Sequence, residues 1–143
     1  AQARRSLAAE VLAFRRAGGP VCELRRLANQ TSACDYLCYW IEHALPAGAD
    51  RLALPLTAVG LGAATLAFMP SEVTAETTFA LQAGLPGIEL WTHAHCGGYA
   101  GYVPTPRMVD EGGYEGRQTL LGRDGEPHMR RQMERLVREL HGL

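Results

Sequence analysis

Apolar residues recur at helical spacing at both ends of the chain, and strand-like alternation fills much of the stretch between them. Leu7, Val11 and Phe14 share one stripe with Ala8 and Leu12 beside it, and Gly18-Gly19-Pro20 ends the run. A short second helix is expected from about Cys22 to Ala28. A third starts where Thr31 and Ser32 offer N-cap oxygens, runs to about Ala44, and is closed by Pro46-Ala47-Gly48. At the far end, Gly125-Glu126-Pro127 opens a helix carrying Met129, Met133, Leu136, Val137 and Leu140 on one face. Pro127 suits the first turn of that helix and Gly142 its end, while arginines with Glu134 and Glu139 cover the opposite face.

From Asp50 the character changes. Residues Arg51 to Val59 and Ala63 to Phe68 read as two strands joined through Gly60-Leu61-Gly62, most simply a hairpin. The second strand leads directly into Pro70-Ser71-Glu72, so a carboxylate stands where a sheet hands side chains to a cleft. A helix over Thr74 to Ala83 should stop at Gly84, with Pro86 beyond. Gly87 to His95 alternates as a third strand, with Ile88, Leu90 and Thr92 on one side and Glu89, Trp91, His93 and His95 on the other. Pro106 starts a short helix through Val109.

Composition narrows the class. A chain of 143 residues with 47% hydrophobic and 20% charged residues has enough apolar material for a packed core. All fourteen positive charges are arginine and the formal net charge is −1, which provides no long-range field for nucleic acid. The arginine pairs Arg4-Arg5, Arg15-Arg16, Arg25-Arg26 and Arg130-Arg131 read as solvated helix faces. Leu52 to Met69 is nearly uncharged, but Pro55, Gly60 and Gly62 interrupt it, and spanning takes about 20 apolar residues, so no transmembrane segment is expected. No basic region followed by an apolar one opens the chain, so it either begins within a longer protein or is cytoplasmic.

Candidate chemistry is sparse outside one region. Cys34 and Cys38 stack on one helical face that Leu37 and Ile41 share, and a buried core stripe is the expectation. Neither a Cys-x-x-Cys pair nor a second pair is present to make a thiolate zinc site. His93 and His95, in a His-x-His arrangement on one strand face beside Cys96, would either offer two imidazoles to one metal or line a groove. The run Gly97-Gly98-Tyr99-Ala100-Gly101-Tyr102 lacks the spacing of a phosphate loop, and its glycines suit sharp backbone turns beside a cleft.

Two blocks remain. Pro70-Ser71-Glu72 is followed at a distance by Gly101-Tyr102-Val103-Pro104-Thr105 and then by Glu111-Gly112-Gly113-Tyr114-Glu115. Over about residues 50 to 120 this order resembles the C-terminal part of the catalytic domain of the neutral/alkaline ceramidase-like family. That family runs from Pro-Gly-Glu through a helix and a strand to Gly-Tyr-(Val/Ile)-Pro-Thr and a Gly-Gly-Tyr-Glu-like block. The resemblance implies a zinc hydrolase in which Glu72 and Tyr114 are metal ligands and the other ligands are histidines of an N-terminal half. It also implies His93, His95, Tyr99 and Tyr102 as pocket-lining candidates, although Cys96-Gly97-Gly98-Tyr99 stands where the family has an Asn-Gly-Tyr run.

The expected fold is therefore α/β of the α+β kind, as one domain. A helical segment over 1–48 would pack on a small mixed sheet within 50–120, with an amphipathic helix over 125–142, all as part of a larger hydrolase domain. The expected activity is zinc-dependent cleavage of an N-acyl amide in a sphingolipid-like substrate, its partners being that lipid or amide and the N-terminal half of the domain. The alternative is a non-catalytic α/β module, or a degenerate relative, that binds a partner chain.

Overall fold

A computed structural model of the chain describes residues 2–40, 42 and 53–143. The chain falls into two compact units, Ala1–Leu52 and Ala53–Leu143. The fold class is α+β, with helices and a small mixed sheet. No described helix is long and apolar enough to cross a membrane.

The first unit is a helix pair, α1 (Gln2–Arg16) and α2 (Val21–Tyr39), packed against each other. The glycines between them form a Schellman turn: Gly18 is left-handed at φ 69°, its N–H reaches Arg15 O, and the Gly19 N–H reaches Phe14 O at 3.2 Å. Pro20 then serves as N-cap of α2. Two helices were expected over the stretch that α2 occupies, with Thr31 as a cap. Instead Thr31 lies mid-helix, and its hydroxyl donates back to Leu27 O at 3.0 Å, which removes its competition for the backbone. The expected stop at Pro46-Ala47-Gly48 and the strand start at Arg51 lie outside the described residues.

The second unit is built on three strands, β1 (Thr57–Leu61), β2 (Ala64–Phe68) and β4 (Glu89–His93), in the order β1-β2-β4. The expected hairpin is present. Its antiparallel register runs on to Leu61↔Ala64, so the turn is Gly62-Ala63, with Gly62 at φ 61°, rather than Gly60-Leu61-Gly62. After β2 the chain leaves this sheet and forms β3 (Glu72–Val73), which pairs in parallel with β5 (Tyr102–Val103) as a separate two-stranded sheet. Helix α3 (Ala75–Gly84) connects β3 to β4, which returns parallel to β2. Gly84 is the last residue of α3, not the residue past its end.

The short α4 (Pro106–Glu111) and α5 (Tyr114–Arg117) follow, and α6 (Gly125–Leu140) closes the unit. The apolar stripe of α6 lands in part as its spacing requires: Met129, Met133 and Val137 are buried and pack with Ala67, Met69, Leu81, Leu85, Leu90 and Val103 into one core, while Leu136 is half-buried and Leu140, in the last turn, is exposed. His141, just past α6, meets the fully buried Thr65 hydroxyl of β2 through its Nε2 at 2.7 Å. That bond ties the end of the helix to the sheet. Leu90 faces the core while Glu89, Trp91 and His93 are exposed, so the alternation expected for β4 holds to its last residue.

Candidate functional site

The chain from Met69 to Glu72 is stitched to the loop 95–101 by a set of backbone hydrogen bonds. Cys96 N donates to Met69 O, His95 N to Ser71 O at 2.9 Å, Ser71 N to Gly98 O at 3.0 Å, and Glu72 N to Gly101 O at 3.0 Å. The Ser71 hydroxyl, fully buried, accepts from the equally buried Ala100 N–H at 2.7 Å. Two residues in this knot, Ser71 at φ 69° and His95 at φ 58°, are the non-glycine residues with left-handed backbone among those described. Such a conformation costs a side-chain-bearing residue about 1–2 kcal/mol and persists where the surroundings enforce it.

The knot presents Glu72. In the parallel β3–β5 pair Glu72 stands directly across from Tyr102. The Tyr99 hydroxyl donates to Glu72 Oε1 at 2.6 Å, and the Tyr102 phenol also hydrogen-bonds the carboxylate. The His95 ring stacks on Tyr99, with centroids 5.9 Å apart and planes 11° from parallel. On the other side Tyr114, first residue of α5, meets Tyr102 edge-on at 5.7 Å. Tyr99 and Tyr114 are 45% and 47% exposed, so this row of rings around one carboxylate opens to solvent.

The electrostatics follow from these contacts. The Tyr99 hydrogen bond, helped by that of Tyr102 and by the charge of His95, holds the Glu72 carboxyl below its ordinary pKa against the opposing effect of burial. The same arrangement works against ionising Tyr102. Its hydrogen bond to Glu72, then burial and the carboxylate charge, push the phenol up to about 12. A proton is thus kept between Glu72 and Tyr102, where two anions would otherwise sit side by side.

Of the residues singled out from the sequence, Glu72, Tyr99, Tyr102, Tyr114 and His95 form one connected group. His93 has other company: it stacks on Phe68, its partner across β2 and β4, at 5.0 Å. The expectation that His93 and His95 share a strand face is corrected here. The strand ends at His93, and the left-handed turn at His95 redirects that ring toward Tyr99. Sequence reasoning placed Tyr102 on a cleft wall and missed that it faces Glu72. It also missed the Ser71 hydroxyl. Neither has a local signal, because both depend on how two distant two-residue strands align.

A carboxylate can supply one ligand to zinc, whose shell imidazole nitrogens or thiolates ordinarily complete. Among the described residues no group of three or more His, Cys, Asp or Glu side chains lies close enough together to hold a metal ion. No family model, curated protein or solved structure matches the chain.

Proposed function

We propose that the Glu72 cluster is one wall of a ceramidase-like hydrolytic centre, a zinc-dependent amidohydrolase acting on an N-acyl amide of a sphingolipid-like substrate. The observation that supports this is the meeting of Glu72 with a phenol, Tyr102, and with Tyr114 behind it, from sequence blocks some thirty and forty residues away. Glu72 and Tyr114 are the ligands that the resemblance implies, and Tyr102 lies between them in contact with both. Zinc, when bound, would polarise an amide carbonyl and bring the pKa of a water toward about 7. The chain's own groups would hold and orient. Glu72 supplies a charge kept ionised by its hydrogen bonds, Tyr102 holds a proton that a dication would release, and the knot at Ser71 fixes the backbone beneath them. The nitrogen donors would come from a partner half of the domain.

The test is zinc content and affinity of the chain, alone and mixed with a candidate N-terminal half, compared with Glu72→Ala, together with release of fatty acid from an N-acyl sphingoid lipid. Zinc binding and hydrolysis that both disappear in Glu72→Ala are expected. Zinc bound equally by the two proteins would overturn the proposal.

One observation favours the alternative of a partner-binding module. The face of the three-stranded sheet opposite α6 carries the row Val59, Leu66 and Trp91 in register, with Leu61 beside it, and Val59, Leu61 and Trp91 are 42%, 66% and 56% exposed. Large apolar groups gathered on one open sheet face, where the outward positions of a half-solvated sheet are ordinarily polar, mark an interaction surface. Retained partner binding with no hydrolysis under any metal would select this alternative.

A further inference from the structure

We infer that Tyr99, braced by His95, is a positioning residue that sets the orientation of the Glu72 carboxylate. This rests on the proposed role of Glu72 and adds two residues for which the resemblance implies only pocket lining. A carboxylate at the end of a flexible side chain presents several lone-pair directions, and which of them faces a reacting site depends on which are already taken. Tyr99 takes one of them: its hydroxyl reaches Oε1 at 2.6 Å from a position 27 residues away in the chain.

The phenol is itself held at both ends. Its backbone lies between Gly98, whose carbonyl accepts from Ser71 N, and Ala100, whose N–H is bound by the Ser71 hydroxyl, so the loop that carries Tyr99 is fastened to the residue next to Glu72. Its ring is flanked by the His95 ring at 5.9 Å, nearly parallel. His95 occupies a strained left-handed position whose N–H is bound to Ser71 O, so the brace is fixed to the same backbone knot. Carboxylate, phenol and imidazole thus share one rigid support, the arrangement that keeps a ligand from swinging.

Partners that orient a metal ligand in this way are worth about 10–100-fold in metal affinity. The test is zinc affinity by competition with a chromophoric chelator, on the full chain with its candidate partner half, for wild type, Glu72→Ala, Tyr99→Phe, His95→Ala and the Tyr99→Phe/His95→Ala pair. Tyr99→Phe should weaken zinc about 10–100-fold, more than the small fall in the metal-free unfolding midpoint that losing its bond to Glu72 brings. His95→Ala should weaken it less, and should add nothing in the Tyr99→Phe background, because it acts through that ring.

Wild-type affinity in Tyr99→Phe, with binding lost in Glu72→Ala, would overturn this inference and leave the role of Glu72 standing. A fall in the metal-free midpoint that accounts for the weaker binding would make Tyr99 structural. Full additivity of the two substitutions would make His95 a direct donor and end the bracing role. Equal affinity in wild type and Glu72→Ala would overturn the role of Glu72 and this inference together.

Discussion

Ser71 joins two opposed effects in one residue, and separating them tests the backbone knot. Its left-handed φ of 69° costs a residue with a side chain about 1–2 kcal/mol. Its hydroxyl, in return, is the acceptor for the buried Ala100 N–H at 2.7 Å. Losing that acceptor in a site with no solvent access costs about 1–3 kcal/mol. Ser71→Ala removes the acceptor and keeps the strain, so the full 1–3 kcal/mol loss is expected. Ser71→Gly removes the acceptor and the strain together, and returns about 0.5–1 kcal/mol through the greater freedom of glycine in the unfolded chain. The glycine variant should therefore be the more stable of the two by roughly 1 kcal/mol, although glycine is the smaller residue. Thermal unfolding followed by circular dichroism resolves this, since 1 kcal/mol moves the midpoint of a unit the size of Ala53–Leu143 by about 4–8 °C. If Ser71→Ala matched wild type, or equalled or exceeded Ser71→Gly, the strained and hydrogen-bonded description of residue 71 would be wrong.

Three further outcomes follow from particular contacts. A Cβ at Gly116 would sit 2.6 Å from the carbonyl oxygen of Met108 and 3.2 Å from Val109 Cα, both backbone, so Gly116→Ala should lower stability by about 1–3 kcal/mol and displace Tyr114; an unchanged unfolding midpoint would refute the close approach of α4 and α5. Tyr102, pushed up to about 12, binds its proton more tightly folded than unfolded. Its contribution is fully present below the ordinary phenol value of about 10 and is lost between there and about 12. Phenolate absorbance should show that late titration, and Glu72→Gln should bring it down. Met133, fully buried in the core, should cost about 2–5 kcal/mol as Met133→Ala, read from denaturant midpoints, and a loss below that range would mean that α6 packs more loosely than described.

Much of the second unit was legible because its signals are local. The stripe on α6, the hairpin before Pro70, the start of α4 at Pro106 and the inward face of β4 all depend on spacing within one element, and the structure repeats them. Local signals also misled where a neighbour outweighed them. Thr31 and Ser32 look like a helix start, yet α2 runs through them, since a hydroxyl bonded to the preceding turn no longer competes for the backbone. His95 looked like the next residue of an alternating strand, and the hydrogen bond of its N–H to Ser71 turned it away. Nothing in the local pattern singles out His141, and only the packing of α6 against β2 brings it to Thr65.

By itself, then, the sequence determined an α+β chain, the approximate positions of β1, β2, β4, α3, α4 and α6, and a short list of residues in which Glu72, His95, Tyr99, Tyr102 and Tyr114 already stood, but not β3, β5 or α5. Periodicity and turn residues act over a few positions, and a linear pattern can carry them. Tertiary structure alone decided that these five meet, that Tyr99 and Tyr102 hydrogen-bond the carboxylate while Tyr114 packs on Tyr102, and that His93 stacks elsewhere, on Phe68. The bonds responsible join residues 27 and 29 positions apart, and they exist only once β3 and β5 have settled into register.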